Sequence, residues 1–381
     1  MKIKYLTLTL AVSSLLLGAT SLTSCGSKGP LTNSMLLISE VVEGSGTNQA
    51  VELYNMGDKD ITLDDYSIGI YFNSESSPKV KVPLKGTIKP KETFIIANSG
   101  ATSEIKGHNP LLDSKLIFGG NQPIALLKGS TIVDLVGDIG SNSSYNTNTT
   151  LVRKTNYFSS KNKWEEYDWI RYSCDNLKYL GNITNSVTPE EMEAGPRIDP
   201  KYFEQSFINE NDDGLGGGGL VDVTLRSGVD GDTARFNYPS GYHFPDSKVR
   251  FQNINTPESY KENIQPWGIP AKFWTTEQLE LAHDIKIQSL ENGQLIDTYN
   301  RVLGWVWTDG ELLNYKIVKN GYSEIHFGNV DNMFYKDISY TSWLKDAEVF
   351  ARNSKKCSWG EKDPYWDYDK NQSTYHEKFD K

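Results

Sequence analysis

From Met35 to Tyr172 the chain never runs far before Gly, Asn, Asp or Pro interrupts it, and the pieces between are short and β-prone. Leu36 to Val42, Ala50 to Asn55, Ile61 to Leu63, Tyr66 to Tyr71 and Thr93 to Ala97 are such pieces, and a hairpin turns at Lys128-Gly129-Ser130. Segments this short and frequent leave no room for the helical crossovers that parallel strands require, so the pattern predicts an antiparallel all-β sandwich over 35–172. No cluster of acids, His or nucleophiles stands out in this half. Trp164 and Trp169 are expected in its core.

Residues 173–219 read as a linker, with a helical turn near Pro189 to Glu193 and four consecutive glycines, Gly216 to Gly219, at its end. The glycine run lacks the Lys-Ser/Thr ending of a phosphate-cradling P-loop. Beyond Leu220 the character changes. Leu220 to Leu225, Thr233 to Tyr238 and Lys248 to Ile254 read as strands, followed by a helix from Pro270 to Asp284 with Pro in its first turn. Ile285 to Leu290 and Val302 to Trp307 return to strand. Glu311 to Asn320 and Thr341 to Arg352 read as two more helices. Strands first, then interleaved helices, predict an OB-type β-barrel with packed helices over 220–360, an α+β unit, ahead of a polar tail at 361–381. The chain is therefore expected to be multidomain.

The first 25 residues bear on compartment rather than fold. Lys2 and Lys4 precede an apolar run from Tyr5 to Gly18, and the stretch ends Leu22-Thr23-Ser24-Cys25. This is the pattern of a secretory signal. Its ending resembles a bacterial lipobox, which implies lipidation at Cys25, a membrane anchor and an extracytoplasmic location. Residues 26–34 then form a tether. Cys174 and Cys357 leave two readings open, a disulfide or two free thiols. The net charge of −10 argues against a protein that coats nucleic acid by bulk electrostatics. From Leu220 onward 19 basic residues face 24 acidic ones, so any polyanion would have to be gripped locally.

The strings LLISEVVEGSGTNQAVELYN, DITLDDYSIGIY, GTIKPKETFIIAN and IALLKGSTIVDLVG resemble the lamin-tail domain, an immunoglobulin-like sandwich. That likeness implies a binding or spacer module whose partner the sequence does not name. In the second half three pieces occur in order: Val229-Asp230-Gly231-Asp232-Thr233, then Val249 to Glu258 with Arg250 and Asn255-Thr256-Pro257-Glu258, then Asp297-Thr298-Tyr299-Asn300-Arg301-Val302-Leu303-Gly304. Together they resemble the staphylococcal-nuclease (thermonuclease) family, whose pattern is D-G-D-T, R-x4-D-T-P-E and Y-G-R-x-L. The chemistry suits these residue types. A phosphodiester repels nucleophiles, so its hydrolysis needs charge neutralisation and an activated water. Two guanidiniums can grip phosphate oxygens in forked fashion.

The resemblance implies Arg250 and Arg301 as catalytic arginines and Glu258 as the carboxylate that orients or deprotonates water. It implies Ca²⁺ as cofactor, with Asp232 as one ligand, Thr256 ligating through its carbonyl and position 255 as a further ligand. The family's acid at that position is Asn255 here, which removes a formal charge and implies weaker metal binding or tolerance of another divalent cation. Asp230 or a water could make up the loss. Tyr299 and, less directly placed, Phe327 are the aromatic candidates for stacking on a base or sugar. A residue position occupied by Lys in the family is Thr298, and the hairpin Asn237 to Ser247 is slightly long. The expectation is a lipid-anchored endonuclease acting on DNA and also on RNA, leaving 3′-phosphates. Two alternatives stay open: a surface lipoprotein whose barrel binds nucleic acid or protein without cutting, and an adhesin or scaffold in which the sandwich carries the role.

Overall fold

A computed structural model describes residues 34–72, 75–183, 189–211, 214–260, 263–326 and 333–369. Cys25 with its leader and tether, Phe327, and the last part of the tail lie outside the described residues.

The first half is a two-sheet sandwich. Leu36–Glu43 and Gln49–Asn55 pair antiparallel, from Leu36 opposite Asn55 to Glu43 opposite Gln49. Their sheet continues through Thr93–Ala97 on one side and through Thr149–Arg153 and Trp169–Ser173 on the other. The facing sheet runs Val80–Pro83, Tyr66–Ile70, Ile124–Lys128, Thr131–Val136. Ile38, Val41, Val51 and Leu53 meet Ile68, Ile70, Leu126 and Val136 between the sheets. Each such side chain contributes about 1.5–3 kcal/mol by leaving water. Trp164 and Trp169 join this core. So does one ion pair, Arg153 to Asp134 at 2.6 Å, with both side chains almost wholly buried. The Ile38 and Lys161 amides donate to the same carboxylate, and the guanidinium lies 4.5 Å from the centre of the Trp169 ring.

All eight residues of Leu36–Glu43 are buried, so both faces of the main sheet are covered. On the second face, Val42, Ala50 and Ile95 pack against Leu180. Val152, Ile170 and Tyr172 share a core with Ile338, Trp343 and Leu344 from the second half of the chain. Beyond Trp169–Ser173 the sheet gains two short strands from that second half, Ile338–Ser339 and Phe334–Tyr335. Tyr172 pairs with Ile338, and the Ser173 amide donates to the Asp337 carbonyl at 2.9 Å. One eight-stranded sheet thus runs through both halves.

The stretch read as a linker is a packed strap. A Cβ on Gly219 would sit 1.9 Å from the Gln205 carbonyl oxygen, so backbone lies on backbone there and no larger residue fits. The Gly217 amide donates to the Phe207 carbonyl at 3.0 Å, and the Ser289 hydroxyl donates to the same oxygen at 2.6 Å. The glycines serve close approach rather than freedom. Of the two readings left for the cysteines, the disulfide is not formed: Cys174 and Cys357 are both free. Their neighbourhoods differ. The Cys174 thiol rests 3.7 Å from Asp175 beside the sandwich, whereas Cys357 lies in a short turn next to Tyr322 at the chain's far end.

The second half is a closed five-stranded barrel. Its first strand, Leu220–Asp230, is long because it serves two neighbours. The first half of this strand pairs with Ile285–Gln288, and the second half pairs with Thr233–Asn237 through two bulges. Lys248–Phe251 pairs with Thr233–Asn237 and, in parallel, with Val302–Thr308, and the latter returns to Ile285–Gln288. Phe236, Val249, Phe251, Ile287, Val302 and Val306 fill the interior. Helices Gly268–Leu281, Leu313–Lys319 and Tyr340–Asn353 pack around it. Glu311–Leu312, expected as the start of a helix, instead forms a strand against Trp307–Thr308.

Candidate active site

Strand register sets the arginines. Arg250 stands opposite Leu303 in the parallel pair, which brings it next to the turn that carries Arg301. That turn is built by Asp297. Its Oδ1 accepts from the backbone amides of Tyr299 and Arg301, each at 2.9 Å, while its Oδ2 accepts from Arg301 Nε at 2.8 Å and pairs with a terminal nitrogen at 2.7 Å. Asn300 takes the left-handed backbone (φ 62) that closes the turn, a conformation Asn tolerates well. One carboxylate therefore fixes both the loop and the direction of the guanidinium.

The acidic turn is held from three sides. Asp232 Oδ2 accepts from the Thr256 amide at 3.0 Å and pairs with Arg250 at 3.2 Å, while Oδ1 accepts from the Thr233 hydroxyl at 3.0 Å. Thr275, on the helix Gly268–Leu281, donates to the Gly231 carbonyl at 2.8 Å. The same helix starts hard against the Thr256 to Glu258 segment: a Cβ on Gly268 would lie 2.0 Å from the Glu258 carbonyl oxygen. Gln265 brackets Glu258, its side-chain oxygen accepting from the Glu258 amide at 3.0 Å and its own amide donating to the Glu258 carbonyl at 2.9 Å. The Glu258 side chain is left exposed.

Charge at the site is crowded. Burial pushes Asp230 up to about 6; hydrogen bonds from Ser259 and the Gly231 amide oppose this, and the nearby Asp232 and Glu258 charges add to it. Burial draws Arg250 below its ordinary value; Asp232 opposes that and Arg301 reinforces it. The guanidinium stays charged in either case.

Asn255 is wedged between a cation and an anion. Its Oδ1 accepts from Arg250 at 3.3 Å, and its Nδ2 donates to Glu324 Oε1 at 3.2 Å. Its backbone amide donates to the Ser323 hydroxyl at 2.9 Å, and Ile254–Asn255 pairs with Glu324–Ile325.

A cavity of about 340 Å³ opens beside these groups, with Arg250, Asn253, Asp297, Arg301 and His326 in its walls. The expected arginines thus share one cavity. Asp232, Asn255 and Thr256 lie around Arg250 rather than in the cavity's lining, and Glu258 is within electrostatic reach of Arg250. Tyr299 is 75% exposed, with the Arg301 guanidinium 5.4 Å from its ring centre. Phe327 lies outside the described residues. Asp297, Ser259, Gln265 and Glu324 joined the site only with the structure. Of these, Asp297 alone had a sequence signal, its place in the same motif as Arg301.

Among the described residues no three His, Cys, Asp or Glu side chains gather closely enough to hold a metal ion. The donors that surround Arg250 are nevertheless of the kind a hard cation takes: the Asp232 carboxylate, the Asn255 amide oxygen and the Thr256 carbonyl. The buried Thr256 hydroxyl has no hydrogen-bond partner, and Asp230 is repelled by the charges of Asp232 and Glu258. A cation would relieve that repulsion, so the residues fit such a group in type, with few charges.

The second half, a five-stranded barrel with two arginines on one cavity and an acidic turn behind them, matches a nuclease family in the comparisons with known proteins. The chain carries a lamin tail domain, matched over residues 30–140, followed by a domain matched over residues 248–361 to the staphylococcal nuclease homologues. The second match begins after the acidic turn, so Asp230 and Asp232 lie outside it. Among curated relatives, the chain is 31% identical over 143 residues to the SPbeta prophage-derived endonuclease YokF of Bacillus subtilis, 37% of this chain and 44% of the relative. It is 31% identical over 143 residues to endonuclease YncB of the same organism, covering 62% of the relative. Against the thermonuclease of Staphylococcus hyicus it is 28% identical over 113 residues, 29% of this chain and 62% of the relative. The chain thus spans less than two thirds of each of these relatives.

Proposed function

We propose that this protein is an extracytoplasmic nuclease, tethered to a membrane through Cys25, that hydrolyses phosphodiester bonds of DNA and also of RNA. The observation that carries the reading is the convergence of Arg250 and Arg301 on one cavity, with Glu258 close by. Two fixed guanidiniums can hold the phosphate oxygens and meet the charge that builds as water adds to phosphorus. Asp297 fixes Arg301 beforehand, so little reorganisation is needed during reaction. Exposed Glu258 is placed to orient a water and take its proton. The bond to the 5′ oxygen then breaks, that oxygen takes a proton from solvent water, and Glu258 gives its proton back to solvent, leaving a 3′-phosphate and a 5′-hydroxyl. Asp232, Asn255 and the Thr256 carbonyl would hold a divalent cation, calcium first, which supplies further charge neutralisation. The relatives' names, two endonucleases and a thermonuclease, support the reaction class.

One observation favours a second reading, a barrel that binds nucleic acid without cutting: the neutral Asn255 leaves Asp232 as the only carboxylate in the donor set. End-group analysis separates the two. DNA and RNA incubated with the protein and calcium should yield 3′-phosphate ends that become extendable only after phosphatase treatment. Retention of nucleic acid with no new ends would sink the enzymatic reading.

A further inference from the structure

Helix Tyr340–Asn353 lies between the sandwich and the site segments, and several polar contacts join it to the sandwich. Lys154 pairs with Asp346, Lys345 pairs with Glu166, and the Arg171 amide donates to the Ser342 hydroxyl at 3.0 Å. Most of these tie the helix down and end there. One continues. Glu348 is nearly wholly buried, with a side-chain exposure of 1%. Its Oε2 accepts from the hydroxyl of Tyr167 in the sandwich, and its Oε1 accepts from the backbone amide of Ile325 at 3.1 Å. Ile325 belongs to the two-residue strand that pairs with Ile254–Asn255, and that strand places Glu324 against the Asn255 side chain. Asn255 in turn reaches Arg250. The neighbouring Asn253, in the cavity wall, donates to the Thr341 hydroxyl at the start of the same helix at 3.0 Å.

We infer that Glu348 is a positioning residue for the nuclease site, and that Tyr167 makes the sandwich a working part of that site rather than a spacer. The inference rests on the nuclease reading only for its activity readout. A two-residue strand has too few backbone bonds to hold its own place, so its position is set by what grips its ends. Glu348 grips the Ile325 amide, and the Tyr167 hydroxyl fixes the rotamer from which it does so. A buried carboxylate keeps such a geometry only while its acceptor sites are filled, because each unfilled one costs solvation that nothing replaces. Removing the hydroxyl frees Glu348 to follow Arg352, the partner 3.3 Å away on its outer side. Ile325, Glu324 and then the Asn255 amide lose their fixed register.

The test uses the full chain with Tyr167→Phe, Glu348→Ala and Glu348→Gln. The Gln variant can accept from the Ile325 amide with its oxygen and donate to the Tyr167 oxygen with its nitrogen, while the half-exposed Arg352 side chain turns to solvent, so it should rescue. Tyr167→Phe and Glu348→Ala are expected to lower kcat on DNA about three- to ten-fold with KM within about two-fold, and Glu348→Gln to stay near wild type. Hydrogen exchange is the independent readout. Amides at 323–326 and 254–256 should exchange about ten-fold faster in the two disruptive variants, while those in Leu36–Glu43 stay unchanged. Unchanged exchange at 323–326 overturns the inference, as does faster exchange with wild-type kcat, or Glu348→Gln as impaired as Glu348→Ala. A wild-type chain that cuts no nucleic acid would remove the nuclease reading, and the exchange rates alone would then decide whether Tyr167 and Glu348 hold the strand.

Discussion

Asn255 Nδ2 donates to Glu324 Oε1 at 3.2 Å, and this bond turns the amide oxygen of Asn255 toward Arg250. The neutral residue therefore does something an acid could not do at this point: it joins an anion to a cation. Asn255→Asp would set two carboxylates side by side and lose that bond. The variant is expected to be less stable without metal by about 1 kcal/mol, since one hydrogen bond is lost and a repulsion gained. It should also bind calcium more tightly, because the added charge completes the donor set. Thermal melting with and without calcium checks both, and the calcium-induced rise in Tm should exceed that of the wild type.

Arg301 is held by two of its nitrogens on one carboxylate oxygen of Asp297. Arg301→Ala should lower kcat by about 10²–10³, the usual effect of removing one donor aimed at transition-state charge. Arg301→Lys should recover little, because an ammonium cannot bind Asp297 and a phosphate in forked fashion at once. Asp297→Asn keeps the turn's acceptor but weakens the grip, so an intermediate loss is expected. Steady-state kinetics of the three variants gives the order.

The buried pair of Arg153 and Asp134 sits in the sandwich core with its remaining valences filled by backbone amides. Arg153→Ala leaves a carboxylate without its cation in a dry environment. A destabilisation of about 3–5 kcal/mol is expected from denaturant unfolding. Replacing both partners with apolar residues should cost much less.

Glu52 gives the stability a pH dependence of known sign. Burial pushes its carboxyl up to about 7, against hydrogen bonds from Ser39 and the Gly181 amide that lower it. Between 4.5 and about 7 the folded protein keeps a proton that the unfolded chain releases, so stability is greatest at the acid end and falls as pH rises through this window. The contribution at stake is about 3 kcal/mol. Glu40, opposite Glu52 in the sheet, is raised by burial and by the Glu52 charge, and adds in the same direction. Unfolding measured across this window should show a flatter profile for Glu52→Gln than for wild type.

The sandwich and barrel were legible because their strands are short and β-prone and their breaks carry turn residues; burial alternates along Lys248–Phe251 and the start of Leu220–Asp230 but not along Leu36–Glu43, which is buried throughout. The two arginines were legible because their motif spacings survive in sequence. What lay hidden depended on contacts between distant residues. Phe334–Tyr335 and Ile338–Ser339 are too short to show any period, yet they join the barrel half to the sandwich sheet. Gly216 to Gly219 has the composition of a flexible linker, and only its contacts with Gln205, Ser206 and Leu290 reveal close packing. Glu324 is an ordinary surface acid until the pairing of two dipeptides puts it on Asn255.

The most direct measurement is cleavage of single- and double-stranded DNA by the chain from residue 34 onward, in calcium, in other divalent ions and in EDTA, with Glu258→Gln as the paired control. Cleavage is expected with calcium and none in EDTA, with loss of most activity in Glu258→Gln. Absence of cleavage under every cation, or undiminished cleavage by Glu258→Gln, would contradict the nuclease reading.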